Sequence, residues 1–325
     1  MKKPRVCIVS PAAAEANNGN WHTAARWRRF LSPLAQVHIA LEWKEEPVDA
    51  LIALHARRSA GSIARFRNVH GDAPLALVLT GTDLYRDIEF DTGALHSLKC
   101  ASHVVVLQDE GLMRLAPVTR AKARVIVQSA SARRGAILLR APRHFDLVAV
   151  GHLREEKDPL TLMRAARMLP ADSPIRIVHI GDALDEELAD VARQTASQCA
   201  RYRWLGGLSH DRARRWIARS RALVHMSRIE GGANVVIEAV RSHVPVLASR
   251  IDGNVGLLGR DYGGYFPVGD AMALAVLMQR FSSDPAYAAT LTEQCAAREP
   301  RFTPEVERHE VQRLLADMLS GERPQ

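Results

Sequence analysis

Cysteine is scarce in this 325-residue chain: Cys7, Cys100, Cys199 and Cys295 lie more than 90 positions apart, with no C-x-x-C pair. That spacing excludes a zinc ribbon or a disulfide framework and reads as reduced core thiols of a cytoplasmic protein. No apolar run approaches the roughly 20 residues that span a bilayer. The start, Met1-Lys2-Lys3 followed by Arg5–Ser10, has an apolar stretch too short for a signal peptide, and Asn17, Asn18 and Gly19 soon break it. A buried first strand fits it better. The first strand is not followed by G-x-G-x-x-G, which disfavours a dinucleotide oxidoreductase. The chain also lacks G-x-x-x-x-G-K-S/T, H-E-x-x-H and G-x-S-x-G, arguing against a P-loop NTPase, a zinc protease and a serine hydrolase. The D-x-D pair that often holds a metal–diphosphate complex is missing as well. The nearest substitute is Asp87-Ile-Glu89-Phe-Asp91, whose acids would share one side only in an extended loop. Solvated loop acids are the simpler reading, and no metal is expected.

What is present is the composition of a soluble globular protein, 47% apolar and 25% charged, long enough for two domains with their own cores. The net charge of +8 is unevenly spread. Gly111 to Phe145 contains no acid but eight bases: Arg114, Arg120, Lys122, Arg124, Arg133, Arg134, Arg140 and Arg143. This stretch equals the whole net charge. It reads either as a solvated rim or as an anion-attracting surface for phosphate groups, lipid headgroups or nucleic acid. Nucleic acid is disfavoured, because no aromatic precedes Phe145 to stack on bases.

Short β-branched runs alternate with helical patterns, the signature of an α/β protein with parallel sheets. Six strands are expected in the first half, at Arg5–Ser10, Val37–Leu41, Ala50–Leu54, Leu75–Thr80, His103–Gln108 and Arg124–Gln128. Six more are expected at Asp146–His152, Ile175–Gly181, Tyr202–Leu205, Ala222–Met226, Val244–Ala248 and Gly264–Val268. The pattern predicts two doubly wound, Rossmann-like domains facing across a cleft, residues 1–143 and 144–303, separated after an Arg140–Arg143 linker. A helix over Pro304–Leu319, within a terminal segment 304–325, could pack on either domain. Helix Ala24–Leu31 is expected to turn Trp27, Phe30 and Leu31 to its sheet rather than to a membrane.

The most informative segment is residues 222–256. A strand to Ser227 precedes a glycine-containing turn, Glu230-Gly231-Gly232, and a helix starting near Ala233 and Asn234. Free N–H groups at that start, with no side chains on the glycines, form a potential anion site. Glu230 lies at the mouth of the turn. Glu238, about a turn and a half into the helix, is suited to accept hydrogen bonds from both hydroxyls of a ribose. A capped crossover helix, with Glu230 stabilising its dipole, is the simpler alternative.

Glu230-x7-Glu238 followed by Val244-Pro-Val-Leu-Ala-Ser249 resembles the donor-site signature of retaining-type glycosyltransferase family 4, which has the two-domain GT-B fold. Val148-Ala-Val-Gly151-His-Leu-Arg154-Glu-Glu-Lys157 resembles its diphosphate-binding turn. The resemblance implies that Lys157 grips the diphosphate. His152 stands where the family has Arg, so one charge is missing or comes from Arg154. Trp204-Leu-Gly-Gly-Leu208-Ser-His210 is similar to the segment near the donor base, which implies a donor contact at Leu208.

In the first half, Asn18-Gly-Asn-Trp-His-Thr23, Leu77-Val-Leu-Thr-Gly-Thr82-Asp83-Leu-Tyr-Arg-Asp87 and Val104–Gln108 resemble the selenosugar synthases of selenoneine biosynthesis. Gly151–Asp158 and Gly253–Gly259 also suit that subgroup. The resemblance implies transfer of UDP-N-acetylglucosamine or UDP-glucose sugar to selenophosphate, with no cofactor and with possible partner enzymes of the same pathway. A conventional family 4 enzyme with a sugar or lipid hydroxyl acceptor is the alternative; a non-catalytic nucleotide-sugar binder is a more distant one. Selenophosphate is already an anionic nucleophile, so positioning and leaving-group stabilisation would dominate. Lys157, the Gly231–Asn234 amides and a Gly19-Asn20 loop suit the departing UDP. Thr82, Arg133 and Arg134 are expected at the acceptor, and His22 or Asp83 beside a water that cleaves selenium from phosphorus.

Overall fold

The computed structural model describes residues 2–12, 19–133 and 144–322. All twelve expected strands form, Ala50–Leu54 with the expected ends and the others with shifted ones. They make two six-stranded parallel sheets, and contacts divide the chain into two units. The first unit comprises residues 1–129, 230–233 and 304–325; the second comprises residues 130–229 and 234–303. Arg134, Arg140 and Arg143 lie outside the described residues, as does the expected boundary at 143.

The first sheet contains β1 (Arg5–Val9), β2 (Gln36–Ala40), β3 (Ala50–Leu54), β4 (Leu75–Leu79), β5 (His103–Val106) and β6 (Ala123–Val125), in the order β2-β1-β3-β4-β5-β6. Strand side chains alternate between faces, and both faces are covered. Val6 and Ile8 join one core with Trp27, Phe30 and Leu31, while Cys7 and Val9 join another with Ile63 and Phe66. The three large side chains of helix Gly19–Leu31 therefore do face the sheet.

Helix Pro304–Ser320 belongs to this first unit, adding Val311, Leu314, Leu315 and Met318 to the Trp27 core. Its Glu307 is fully buried. Arg26 Nε (2.6 Å), Trp27 Nε1 (2.8 Å), and the Ser129 amide (2.8 Å) and hydroxyl (2.5 Å) all donate to its carboxylate. A buried carboxylate is stable only when its oxygens are satisfied in this way.

The second sheet contains β7 (Phe145–Val150), β8 (Ile175–Ile180), β9 (Tyr202–Trp204), β10 (Ala222–His225), β11 (Val246–Ser249) and β12 (Tyr265–Phe266), in the order β12-β11-β10-β7-β8-β9. β11 starts later than expected: Pro245 has no N–H, and the Val244 amide closes the preceding helix on Ala239 O. The strand order reverses between β7 and β10, and ligands of doubly wound sheets bind beyond the carboxyl ends at such a point. No helix among the described residues is long and apolar enough to cross a membrane.

Candidate active site

In the second unit, β7 runs into Gly151 and a 3₁₀ turn at Glu155–Lys157. The Lys157 stem lies against Gly151; a β-carbon at Gly151 would sit 3.5 Å from Lys157 Cδ. Asp158 then takes a left-handed conformation, φ 46°, and starts helix Pro159–Met168. Its Oδ2 accepts from the Thr161 hydroxyl at 2.8 Å and lies 3.3 Å from Arg228 Nη2. The Arg228 amide donates to Glu156 O at 2.8 Å. The loops after β7 and β10 are thereby tied together at the reversal point. The neighbouring loop after β8 approaches so closely that a β-carbon at Gly181 would lie 1.9 Å from Gly151 O. Only glycine fits there.

His152 supplies no second charge. Its Nδ1 accepts the Asp182 amide at 3.1 Å, so the proton sits on Nε2. Burial lowers its pKa, opposed by Asp182 and helped by the Arg154 and Lys157 cations, so the ring is neutral at pH 7. Arg154 Nε lies 3.9 Å from Glu156. Lys157, the other cation of this turn, follows it in the 3₁₀ turn against Gly151.

Glu238, on helix Asn234–Val240, is buried, and His210 Nε2 meets its Oε1 at 2.5 Å. His210 opens helix His210–Arg219, directly after the half-buried Leu208 and exposed Ser209. Arg214, one turn on, is close enough to interact electrostatically with Glu238. The sequence motifs included both Glu238 and His210 but did not show that the two pair across 28 positions.

The glycines of Glu230–Ala233 have another use than the one expected. This segment belongs to the first unit. A β-carbon on Gly231 would lie 2.5 Å from Thr80 O, and one on Gly232 would lie 2.8 Å from Leu107 Cβ. The missing side chains make room for the protein's own loops. Glu230 is half-buried there. The helix after the turn begins at Asn234 and has only seven residues.

At the carboxyl ends of the first sheet, Asp83 is fully buried. Its Oδ1 accepts the amides of Thr80 (2.9 Å) and Gly81 (2.8 Å), and Oδ2 accepts that of Ala56 (2.9 Å). The carboxylate anchors loops, which corrects its expected role beside a water. Asp87, Glu89 and Asp91 are not an extended array: a helical turn carries the first two, while Asp91 caps helix Thr92–Cys100 through the Ala94 amide at 2.8 Å. Gly19 and Asn20 form the first turn of helix Gly19–Leu31 rather than a loop, with half-buried His22 one step further.

His55, which sequence reasoning missed, is buried beside Asp83 with a left-handed φ of 72°. Its Nδ1 faces the Arg58 amide at 3.4 Å and its Nε2 faces Thr82 Oγ1 at 3.1 Å. Burial, the largest influence, lowers its pKa, so the ring is neutral. With Nδ1 accepting, Nε2–H donates to Thr82 and leaves that hydroxyl's proton for another acceptor. The signal available in sequence was a lone histidine ending a buried strand.

The described bases of the run are engaged by the protein's own groups. Arg120 Nε binds Leu112 O at 2.9 Å, and Lys122 Nζ binds Leu98 O and Ala101 O at 2.8 and 2.6 Å. Arg124 pairs with Asp317 at 2.6 Å, and Arg114 lies over the Tyr85 ring. Arg133 pairs with Asp211 within the second unit.

Residues 136–298, just over half of the chain, match the family model described as glycosyl transferases group 1. The chain belongs to this family. Several solved structures resemble the glycosyltransferase over nearly its full length. Anabaena Alr3699/HepE, in complex with UDP and glucose, is 15% identical; the alignment covers 97% of this chain and 100% of that one, with a TM-score of 0.74. Sucrose-phosphate synthase from Thermosynechococcus elongatus is 17% identical, with 99% and 100% covered and a TM-score of 0.78. The α,α-trehalose 6-phosphate synthase of Burkholderia multivorans is 11% identical, with 99% and 100% covered and a TM-score of 0.73. At these identities the likeness is one of fold, and that fold is GT-B.

Proposed function

We propose that this glycosyltransferase moves the sugar of UDP-N-acetylglucosamine or UDP-glucose onto selenophosphate. The observation that carries the donor half is the Gly151–Lys157 turn at the reversal point of the second sheet, with the Lys157 stem packed against a glycine. Lys157 would stabilise charge growing on the departing diphosphate without requiring a metal. Glu238 would accept from the ribose hydroxyls. A UDP donor is also in keeping with the similarly folded Anabaena protein, whose complexes contain UDP, UDP-glucose, or UDP and glucose.

The acceptor half rests on the first-unit resemblance to selenosugar synthases. Selenium attacks the anomeric carbon, a carbon–selenium bond forms, and the bond from that carbon to the β-phosphate oxygen breaks with release of UDP. Water then cleaves selenium from phosphorus, giving the selenosugar and phosphate. The Thr82 hydroxyl, with His55 donating to it, suits a phosphate oxygen, as does the Gly19 helix start near His22. Glu230 could steady the sugar, whereas Arg134 stays an expectation. The four unpaired thiols suit a reducing compartment such as the cytoplasm; burial pushes Cys7 up to about 12 and Cys295 to about 11. Coupling to other enzymes of the pathway belongs to the same proposal.

The test is UDP release from UDP-N-acetylglucosamine and UDP-glucose under anaerobic conditions with EDTA, with and without selenophosphate, read by mass spectrometry. The expected result is selenophosphate-dependent UDP and a selenosugar mass. UDP formed only with a sugar or lipid hydroxyl would establish the conventional acceptor instead. UDP binding without turnover under any condition would point to a nucleotide-sugar binder.

A further inference from the structure

We propose that His210 is a positioning residue for nucleotide recognition, holding Glu238 in the orientation that clasps a ribose. The inference rests on the UDP-sugar reading of the second unit and extends it to a residue outside the Glu230-x7-Glu238 pattern.

Three observations carry it. First, the contact is short and specific: His210 Nε2 lies 2.5 Å from Glu238 Oε1. A charge-assisted bond of this length restrains the torsions of a glutamate. Second, the two carboxylate oxygens are not equivalent. Oε1 is engaged by the imidazole, while Oε2 has no hydrogen bond among the described residues. The Glu238 side chain is only 8% exposed, whereas His210 remains 45% exposed. A nearly buried carboxylate with one unoccupied oxygen is suited to accept from a ligand that completes its coordination. Third, there is a competitor. Arg214 lies one turn along the same helix, and its charge interacts with Glu238. Its hydrogen bonds go to Ser131, with Nη1 to the Ser131 hydroxyl at 2.9 Å. Without the imidazole, Glu238 is free to turn to this guanidinium and away from the ligand.

The expected ligand contact is with the vicinal hydroxyls of a ribonucleoside diphosphate. The readout is therefore the ratio of Kd values for 2′-deoxy-UDP and UDP, measured by calorimetry on the full chain. The wild-type protein should prefer UDP by about tenfold, the scale of one hydrogen bond to a charged group. In His210→Ala the ratio should fall below about threefold, mainly through weaker UDP binding. His210→Gln, which retains a donor, should recover most of it; His210→Phe, which keeps a ring without a donor, should not. Melting temperatures identify any variant that fails to fold, and Gln against Phe then decides the matter. An unchanged ratio in His210→Phe, or no wild-type preference for the ribose, overturns the positioning role while leaving UDP binding intact. Failure of the wild-type protein to bind UDP at all overturns the donor reading and this inference with it.

Discussion

Asp83 and Glu238 are both buried carboxylates near the carboxyl ends of parallel strands, one in each unit, and they are used in opposite ways. Both Asp83 oxygens are occupied by three backbone amides from two loops. Glu238 has one oxygen held by His210 and the other without an internal partner. Burial alone does not tell these two acids apart; the number of internal donors does. The cations differ in where they lie. Arg120, Lys122 and Arg124 end on carbonyls or a carboxylate, whereas the Lys157 stem lies over Gly151 at the strand-order reversal.

The largest effect should come from Asp83→Ala, which leaves three amides without their acceptor. It should cost on the order of 4 kcal/mol of stability in urea denaturation while UDP affinity at 25 °C in the folded fraction stays unchanged. A mild loss of stability with abolished turnover would place Asp83 back among the reacting groups and break the contrast. Lys157→Ala should do the reverse. Its melting temperature should stay near wild type while kcat/KM for the UDP-sugar falls by about 2–4 kcal/mol in transition-state terms. Unchanged turnover would remove Lys157 from the site.

A third, smaller effect sharpens the comparison through pH. His179 on β8 is fully buried, its Nδ1 2.8 Å from the Tyr202 hydroxyl, and burial pushes it down to about 4. Its folded pKa is below its unfolded value of about 6.5, so its contribution is present above pH 6.5 and lost as pH falls toward 4. About 2 kcal/mol should be gone by pH 5, and His179→Gln should flatten that part of the stability profile. The smallest effect is expected from Arg133→Ala. Its partner Asp211 is half-exposed, so stability should change by less than about 1 kcal/mol. The selenophosphate requirement should not move; a clear rise would place Arg133 at the acceptor.

Much of the fold was legible because it rests on local patterns. Runs such as Ala50–Leu54 and Leu75–Leu79 are apolar on every residue, as strands covered on both faces must be. Helix Pro304–Ser320 was legible as a helix, but its place was not: Glu307 meets Arg26, Trp27 and Ser129 across 178 to 281 positions of chain. At the candidate site, Glu238 and Lys157 stood out through the resemblance of their segments to the family's donor-site motifs. His55 did not, since a single histidine carries no spacing, and neither did the pairing of His210 with Glu238, which lies 28 positions away. The basic run was misleading as a unit, because charge counts do not reveal which carbonyl or carboxylate lies opposite.

By itself the sequence determined the alternation of strand and helix, and hence two doubly wound sheets, together with the residues whose chemistry follows from their own segment. Periodicity and turn chemistry act within a few residues and are written in order along the chain. Tertiary structure alone decided which polar groups were satisfied internally and how fully. That outcome depends on donors and acceptors brought together from distant segments, such as the three amides on Asp83 and the single imidazole on Glu238.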